Sequence, residues 1–493
     1  MQTELWIVGL LVVALTFDST AMGREAVRIG TETQVFVDDE LIAAKKGVRR
    51  TIHPCQKLPK PVVEPEHPWE GNRVYVYGTV LYDPAAKQYR MWYMSNPAKG
   101  KRDRRINRSR GCLLLYATSS DGVRWHKPEM GFYEFNGSKR NNIIYGMDSP
   151  SIIVDARDPD PARRYKMIGY VTVKGEGNGV TACYSAAGLR WHDVAAGPLF
   201  KSSDTVTLAQ DPRTGEYLAF HKSGAKIRGY PRRLVGLAVS KDFQTWSRLG
   251  LVLVPDEKDD AWAKQEGQRT EFYDMSAFPY GGQFLGLAAV FRKTLRRAKA
   301  ARHQSRDDGP IHAELVHSRD GRTWHRLDER TAIIPNGPSD FDAGCILGMI
   351  NTPVIVGDEM WVYYTGITTT HGGALPTKRI TIGRAAWRLD GFVSLDAGGA
   401  EGTVEMIPLQ AAGDRLSVNA DASKGQLTVE VLDGAGEPVA GYGSKDCVPI
   451  RTDAVRHVVR WQDHARLPAG GPLRLRFRLT DAKLYAFSVT PIN

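Results

Sequence analysis

Apolar and polar residues alternate through residues 204–246, and the alternation is broken at short intervals by Pro and Gly. Alternation with period two marks half-buried strands, and Pro and Gly mark the turns between them. Residues 204–210 read as one strand and Asp211-Pro-Arg-Thr-Gly215 as a turn. Residues 217–220 and 235–240 read as two further strands, and a tight turn leads to a strand carrying Trp246. The unit is an antiparallel meander of four strands.

The unit recurs. A Ser followed six residues later by a Trp stands at Ser119 and Trp125, Ser185 and Trp191, Ser240 and Trp246, and Ser318 and Trp324. Two copies carry Asp-Gly at the turn (Asp121-Gly122 and Asp320-Gly321), where Gly tolerates positive φ. A Tyr- or Trp-rich strand precedes each mark, as in Tyr89-Arg-Met-Trp-Tyr93. A fifth copy over 350–387 lacks the Ser-to-Trp interval. Five four-stranded sheets at a period of roughly 55–80 residues predict an all-β chain built as a five-bladed β-propeller, here over residues 71–396.

The flanks read differently. Residues 1–23 carry an apolar run ending in small residues, which predicts an export signal and a periplasmic or secreted protein. Residues 24–70 form an N-terminal arm. Its strand-like stretch Gln34-Val-Phe-Val-Asp38 is expected to close the last blade, and the Pro-rich run 59–68 to be extended connector. A Gly-rich joint over 397–402 leads to residues 403–493, whose alternating strands predict a C-terminal β-sandwich.

The 493 residues carry a net charge of +11. No nucleic-acid motif accompanies the basic charge. The two basic clusters, 99–110 and 292–302, read as solvated loops. Five scattered Cys without a Cys-x-x-Cys pair argue against a zinc site and a dense disulfide framework. No cofactor or metal is expected, and no membrane span once the signal is cleaved. A carbohydrate is the expected partner, an anionic one matching the charge.

In a propeller the first residues of each innermost strand project into the central funnel. Asp148 and Asp204 each lie seven residues before a turn Asp, at Asp155 and Asp211. Glu271 and Asp274 fall near that level in blade four. Asn351 matches it in blade five, with Asp342 further out. Blade one offers Tyr77, with Glu70 and Arg73 just upstream. Carboxylates converging with separated pKa values are the equipment for glycosidic bond cleavage. Asp148, Asp204, Glu271 and Asp342 are therefore the candidate catalytic residues. Asp148 or Asp204 is expected to be ionised, Glu271 to donate the proton, and Asp342 to assist or bind sugar. Glu70, Arg73, Tyr77, Lys222, Tyr273, Asp274 and His371 are the candidate substrate-binding residues.

The blade pattern, the Ser-x-Asp-Gly-x-x-Trp marks and the trailing sandwich resemble the glycoside hydrolase superfamily of families 32, 43, 62 and 68. Phe36-Val-Asp-Asp39 and Arg388-Leu-Asp-Gly-Phe-Val-Ser394 are similar to exported bacterial proteins with a family 32 amino-terminal-like domain. The resemblance implies a blade-one carboxylate as base or nucleophile, a blade-two Asp as transition-state stabiliser and a Glu on blade three or four as acid. Blade one lacks the family 32 Trp-x-Asn-Asp-Pro-Asn-Gly motif, and blade three has Asp204 where a Glu is usual. A sialidase-like enzyme and a non-catalytic glycan-binding propeller are the alternatives. In the marks seen here the Gly comes one place earlier than in sialidase Asp boxes.

Overall fold

The computed structural model describes residues 25–107, 109–173, 177–301 and 304–491. The expected export signal lies outside them. Blades one to three are separate four-stranded antiparallel sheets, with innermost strands Val74–Asp83, Asp148–Val154 and Val206–Gln210. Blade four opens on Arg269–Tyr280. Blade five opens on Cys345–Leu347 and Val354–Val356, which share the partner Glu359–Ile367.

Hydrogen bonds between innermost strands close the five blades into a ring. Thr79 Oγ1 donates to the Ile152 carbonyl at 2.9 Å, and Leu208 N–H to Ser151 Oγ at 2.9 Å. Thr207 Oγ1 donates to the Met275 carbonyl and Ser276 Oγ to the Met349 carbonyl, both at 2.6 Å. Val76 N–H donates to Thr365 Oγ1 at 3.0 Å, joining blade one to blade five. Asn351 is the hub. Its amide donates to the carbonyls of Ile152 and Leu208 and its oxygen accepts from Thr79. Small hydroxyl residues recur here because backbone groups at the crowded axis still need partners.

The Ser-to-Trp marks lock neighbouring blades. In each turn the Ser hydroxyl accepts a backbone N–H three residues on, from Gly122, Gly188, Phe243 or Gly321. The turns then meet the preceding blade. Trp92 Nε1 of blade one donates to the Gly188 carbonyl at 2.6 Å, and Tyr363 of blade five to the Gly122 carbonyl at 2.7 Å. Trp324 packs edge-on against Phe220 of blade three.

The arm departs from the expectation. Gln34–Val35 pairs with Ala482–Thr490 of the sandwich, and Phe36 joins Phe477 and Phe487 in its core. The strand that completes blade five is instead Gln56–Lys57, paired to Ile380–Arg388. The sandwich also takes Val27–Ile29, Ile42–Lys46, Arg49–Ile52 and Val393–Ala397. Its two sheets are thus built from both ends of the chain, beginning ten residues before the expected 403. All five Cys are free.

Candidate active site

A bulge or a break in pairing marks each innermost strand at one level. In blade one, register shifts between Tyr75 and Thr79; in blade two, between Asp148 and Ser151; in blade four, between Phe272 and Met275. In blade three, Ser203 N–H donates to the Lys222 carbonyl and Lys222 N–H to that of Thr205, so Asp204 is looped out between them. Bulges re-aim side chains out of the regular alternation. Here they bring Tyr77, Asp148, Asp204, Tyr273 and Asp274 to one end of the ring. The fifth position is Gly348, at φ +54. The Tyr77 ring comes within 2.8 Å of the place a Cβ would occupy there, so the close approach requires glycine.

The carboxyl groups differ sharply. Asp148 is buried, and burial together with the charge on Asp204 pushes it up to about 7. The Ser149 hydroxyl, at 3.2 Å from Asp148 Oδ1 and donating to the Asp204 carbonyl at 2.6 Å, ties the two residues together. Burial also raises Asp204, but Lys222 outweighs it with a 2.6 Å charged hydrogen bond, assisted by Arg110 at 3.5 Å. Asp204 is held down at about 2. At neutral pH one member is ionised and the other retains much of its proton, the separation expected of an acid and base pair.

Asp274 is buried lower in the funnel. Burial, offset by Lys222 and the Gly348 N–H at 3.2 Å, leaves it raised to about 6. Lys222 is itself buried, its ammonium 3.9 Å above the Tyr273 ring. His371 Nδ1 lies 2.9 Å from the Asp307 carbonyl, so the ring donates there, and Nε2 is left facing the Tyr273 hydroxyl at 3.4 Å. Burial lowers His371 to about 4, so it is neutral. Arg73, Tyr75, Tyr77, Tyr273 and His371 line a cavity of about 90 Å³.

Three expected site residues stand elsewhere. Asp342 is fully buried, bound by Lys57 at 2.6 Å and the Tyr364 hydroxyl at 2.7 Å, and it pins the closing strand of blade five. Glu70 accepts from the Glu66 and His67 N–H groups, from Tyr93 at 2.7 Å and from Lys127 at 2.9 Å, anchoring the connector to blade one. Glu271 is gripped by Arg233 at 2.5 Å and Arg269 at 3.0 Å, with Lys293 at 3.8 Å. Both its oxygens face cationic groups.

Sequence reasoning missed Arg110, Ser149 and Cys112, whose thiol hydrogen-bonds with the Asp148 carboxyl. Arg110 ends one of the basic clusters read as solvated. It turns inward to Asp204 and stacks over Tyr170, its ring centroid 5.0 Å away. A signal was present in Gly111, since Ser109, Arg110 and Gly111 all take positive φ. The second cluster also turns inward, through Lys293, which meets Asp307 at 2.6 Å. Among the described residues no group of three or more His, Cys, Asp or Glu is placed to hold a metal ion. No described helix is long and apolar enough to cross a membrane.

The chain matches no protein-family model and no curated protein. Solved structures similar to it include an exo-inulinase from Aspergillus awamori, 11% identical, TM-score 0.40, covering 88% of this chain and 99% of that one. An α-L-arabinofuranosidase from Podospora anserina in complex with cellotriose is 10% identical, TM-score 0.42, covering 68% and 96%. An N-acetylgalactosamine deacetylase from F. plautii in complex with blood group B trisaccharide is 16% identical, TM-score 0.41, covering 70% and 96%. The propeller assignment itself rests on the sheet order and the ring of inter-blade bonds.

Proposed function

We propose that the protein is a glycoside hydrolase acting on a poly- or oligosaccharide, with Asp148 as proton donor and Asp204 as its ionised partner. One observation carries the reading: two carboxyl groups on adjacent blades, tied by Ser149, have protonation equilibria driven apart to about 7 and about 2. Cleavage of an acetal needs a proton on the leaving oxygen and a negative charge facing the developing oxocarbenium ion. Asp148 supplies the first and Asp204 the second. Lys222 keeps Asp204 ionised while leaving one oxygen edge open to Arg110 and the funnel. Tyr77 and Tyr273 provide ring faces, and Asp274 Oδ1, without a hydrogen-bonding partner among the described residues, is positioned to accept from a sugar hydroxyl. Export through residues 1–23 places this activity in the periplasm or outside the cell, where polysaccharide is met.

The test is release of reducing ends from a polysaccharide panel by the chain lacking residues 1–23, followed on the active substrate by Asp148→Asn and Asp204→Asn. Loss of hydrolysis with retained glycan binding supports the assignment. Variants that hydrolyse at the parent rate refute it. A parent that binds glycan but cleaves none of the panel is a non-catalytic propeller.

A further inference from the structure

Beside Asp204 lies an open cleft of about 730 Å³ between blades three and four, lined by eight lysines and arginines against three carboxylates. The floor is made of buried cations: Lys222, Arg269 and Lys293 have side chains no more than 7% exposed. The carboxylates Glu271 and Asp307 hold several of them in place. Arg233 spans the two, 2.5 Å from Glu271 and 3.0 Å from Asp307. The compensation is incomplete. Burial keeps Lys293 below its ordinary range although Asp307 and Glu271 flank it. Around the rim stand Lys201 and Arg248, exposed and without an ion pair among the described residues, and Arg296, 3.5 Å from Asp307.

An ion lattice that merely clamps two blades needs none of the rim. Arg232 already makes such a clamp, donating to Asp260 at 2.8 Å and to the Thr270 carbonyl at 2.8 Å. Lys201 and Arg248, facing a floor rich in cations, gain no ion pair from the described residues. They gain when an anion enters, because a partly desolvated charge interacts far more strongly than one in water. The planar fork of arginine suits a carboxylate or sulfate in particular. The cleft has the volume of a small-ligand site.

We propose that this cleft is an oxyanion subsite that holds the carboxylate or sulfate of an acidic sugar residue adjoining the bond to be cleaved. The inference rests on the glycosidase reading for the position of that bond, but the binding it predicts does not depend on catalysis. The test uses the full mature chain and isothermal titration with three probes: an oligogalacturonate, a sulfated carrageenan oligosaccharide free of carboxylates and a neutral galacto-oligosaccharide of equal length. Lys201→Ala and Arg248→Ala serve as variants, since neither side chain is buried or ion-paired. The expected result is binding of one anionic probe at least about tenfold tighter than the neutral one, weakened roughly three- to tenfold in each variant and by added salt. Whichever anion binds tighter identifies carboxylate or sulfate as the source. Equal affinity for charged and neutral probes, or anionic binding untouched by both variants, overturns the subsite. So does failure to bind either anion. Hydrolysis of a neutral glycan alongside such a failure leaves the glycosidase standing; tight anionic binding with no hydrolysis of any acidic glycan leaves the subsite standing and removes the glycosidase.

Discussion

Two groups of buried carboxyls behave in opposite ways. Asp148 and Asp274, at the funnel, have no ion pair among the described residues and are pushed up to about 7 and about 6. Glu70, Glu271 and Asp342 are at least as buried, yet each meets a lysine or arginine within 3.0 Å. Burial alone therefore does not separate chemistry from architecture. The separation comes from what stands opposite. A carboxylate facing a cation is a rivet, whereas one facing another carboxylate is held at a poised proton. Asp204 lies between the two groups, paired with Lys222 and facing Asp148, and that double contact sets the polarity of the site.

The largest effects should fall on the funnel group. Asp204→Asn and Asp148→Asn are each expected to lower kcat by roughly 10²–10⁴-fold while the fold survives, measured as turnover alongside circular dichroism. In the unsubstituted protein, turnover should decline as pH rises through about 7, where Asp148 loses its proton. An Asp148→Asn variant keeping both the rate and the alkaline limb would erase the distinction.

Asp342→Ala should show the reverse pattern. It strands the Lys57 ammonium in a buried place, at an expected cost of about 3–5 kcal/mol in unfolding free energy. The rate per folded molecule should be unchanged. A rate loss larger than the loss of folded protein would return Asp342 to the catalytic group.

Stability against pH sharpens the contrast. The folded state keeps a proton on Asp148 that the unfolded chain releases near its ordinary value of 3.8. Between pH about 4 and about 7 the folded state binds more protons, so the Asp148 contribution to stability falls as pH rises. Replacing it by Asn removes that penalty. Asp148→Asn should therefore be more stable than the parent at pH 8, on the order of 2–4 kcal/mol, with the gap closing towards pH 4. Thermal melts across that range decide it, and a variant less stable at pH 8 than at pH 4 relative to the parent contradicts it.

Two small effects complete the series. Trp92→Phe loses the bond to the Gly188 carbonyl between blades one and two and should cost about 1–2 kcal/mol of stability. Glu271→Gln should leave turnover per folded molecule within about threefold of the parent on a neutral substrate, since a buried rivet and not an acid is removed. A loss of 10²-fold or more there would make Glu271 the proton donor after all.

Much of this organisation was legible in the chain itself. The alternation with period two and the Ser-to-Trp interval disclosed the blades because both arise from contacts within one sheet and its turns. The spacing of Asp148 and Asp204 from their turn Asp residues placed them at one level for the same reason, strand length being a local quantity. Asp274 was legible as a binding residue, but nothing local ranked it above Glu271 three positions earlier. The bulge at Tyr273 and Asp274, which aims one into the funnel, depends on the neighbouring strand.

What the tertiary structure alone decided is which partner each group meets. Lys57 reaches Asp342 across 285 positions of sequence, and Arg233 reaches Asp307 across 74. No periodicity records such pairings. The arm shows the same limit. Val35 and Val37 face the propeller core while Phe36 enters the sandwich. Its alternation announced a strand with two apolar faces, and only the packed domains on either side could say that it belongs between them.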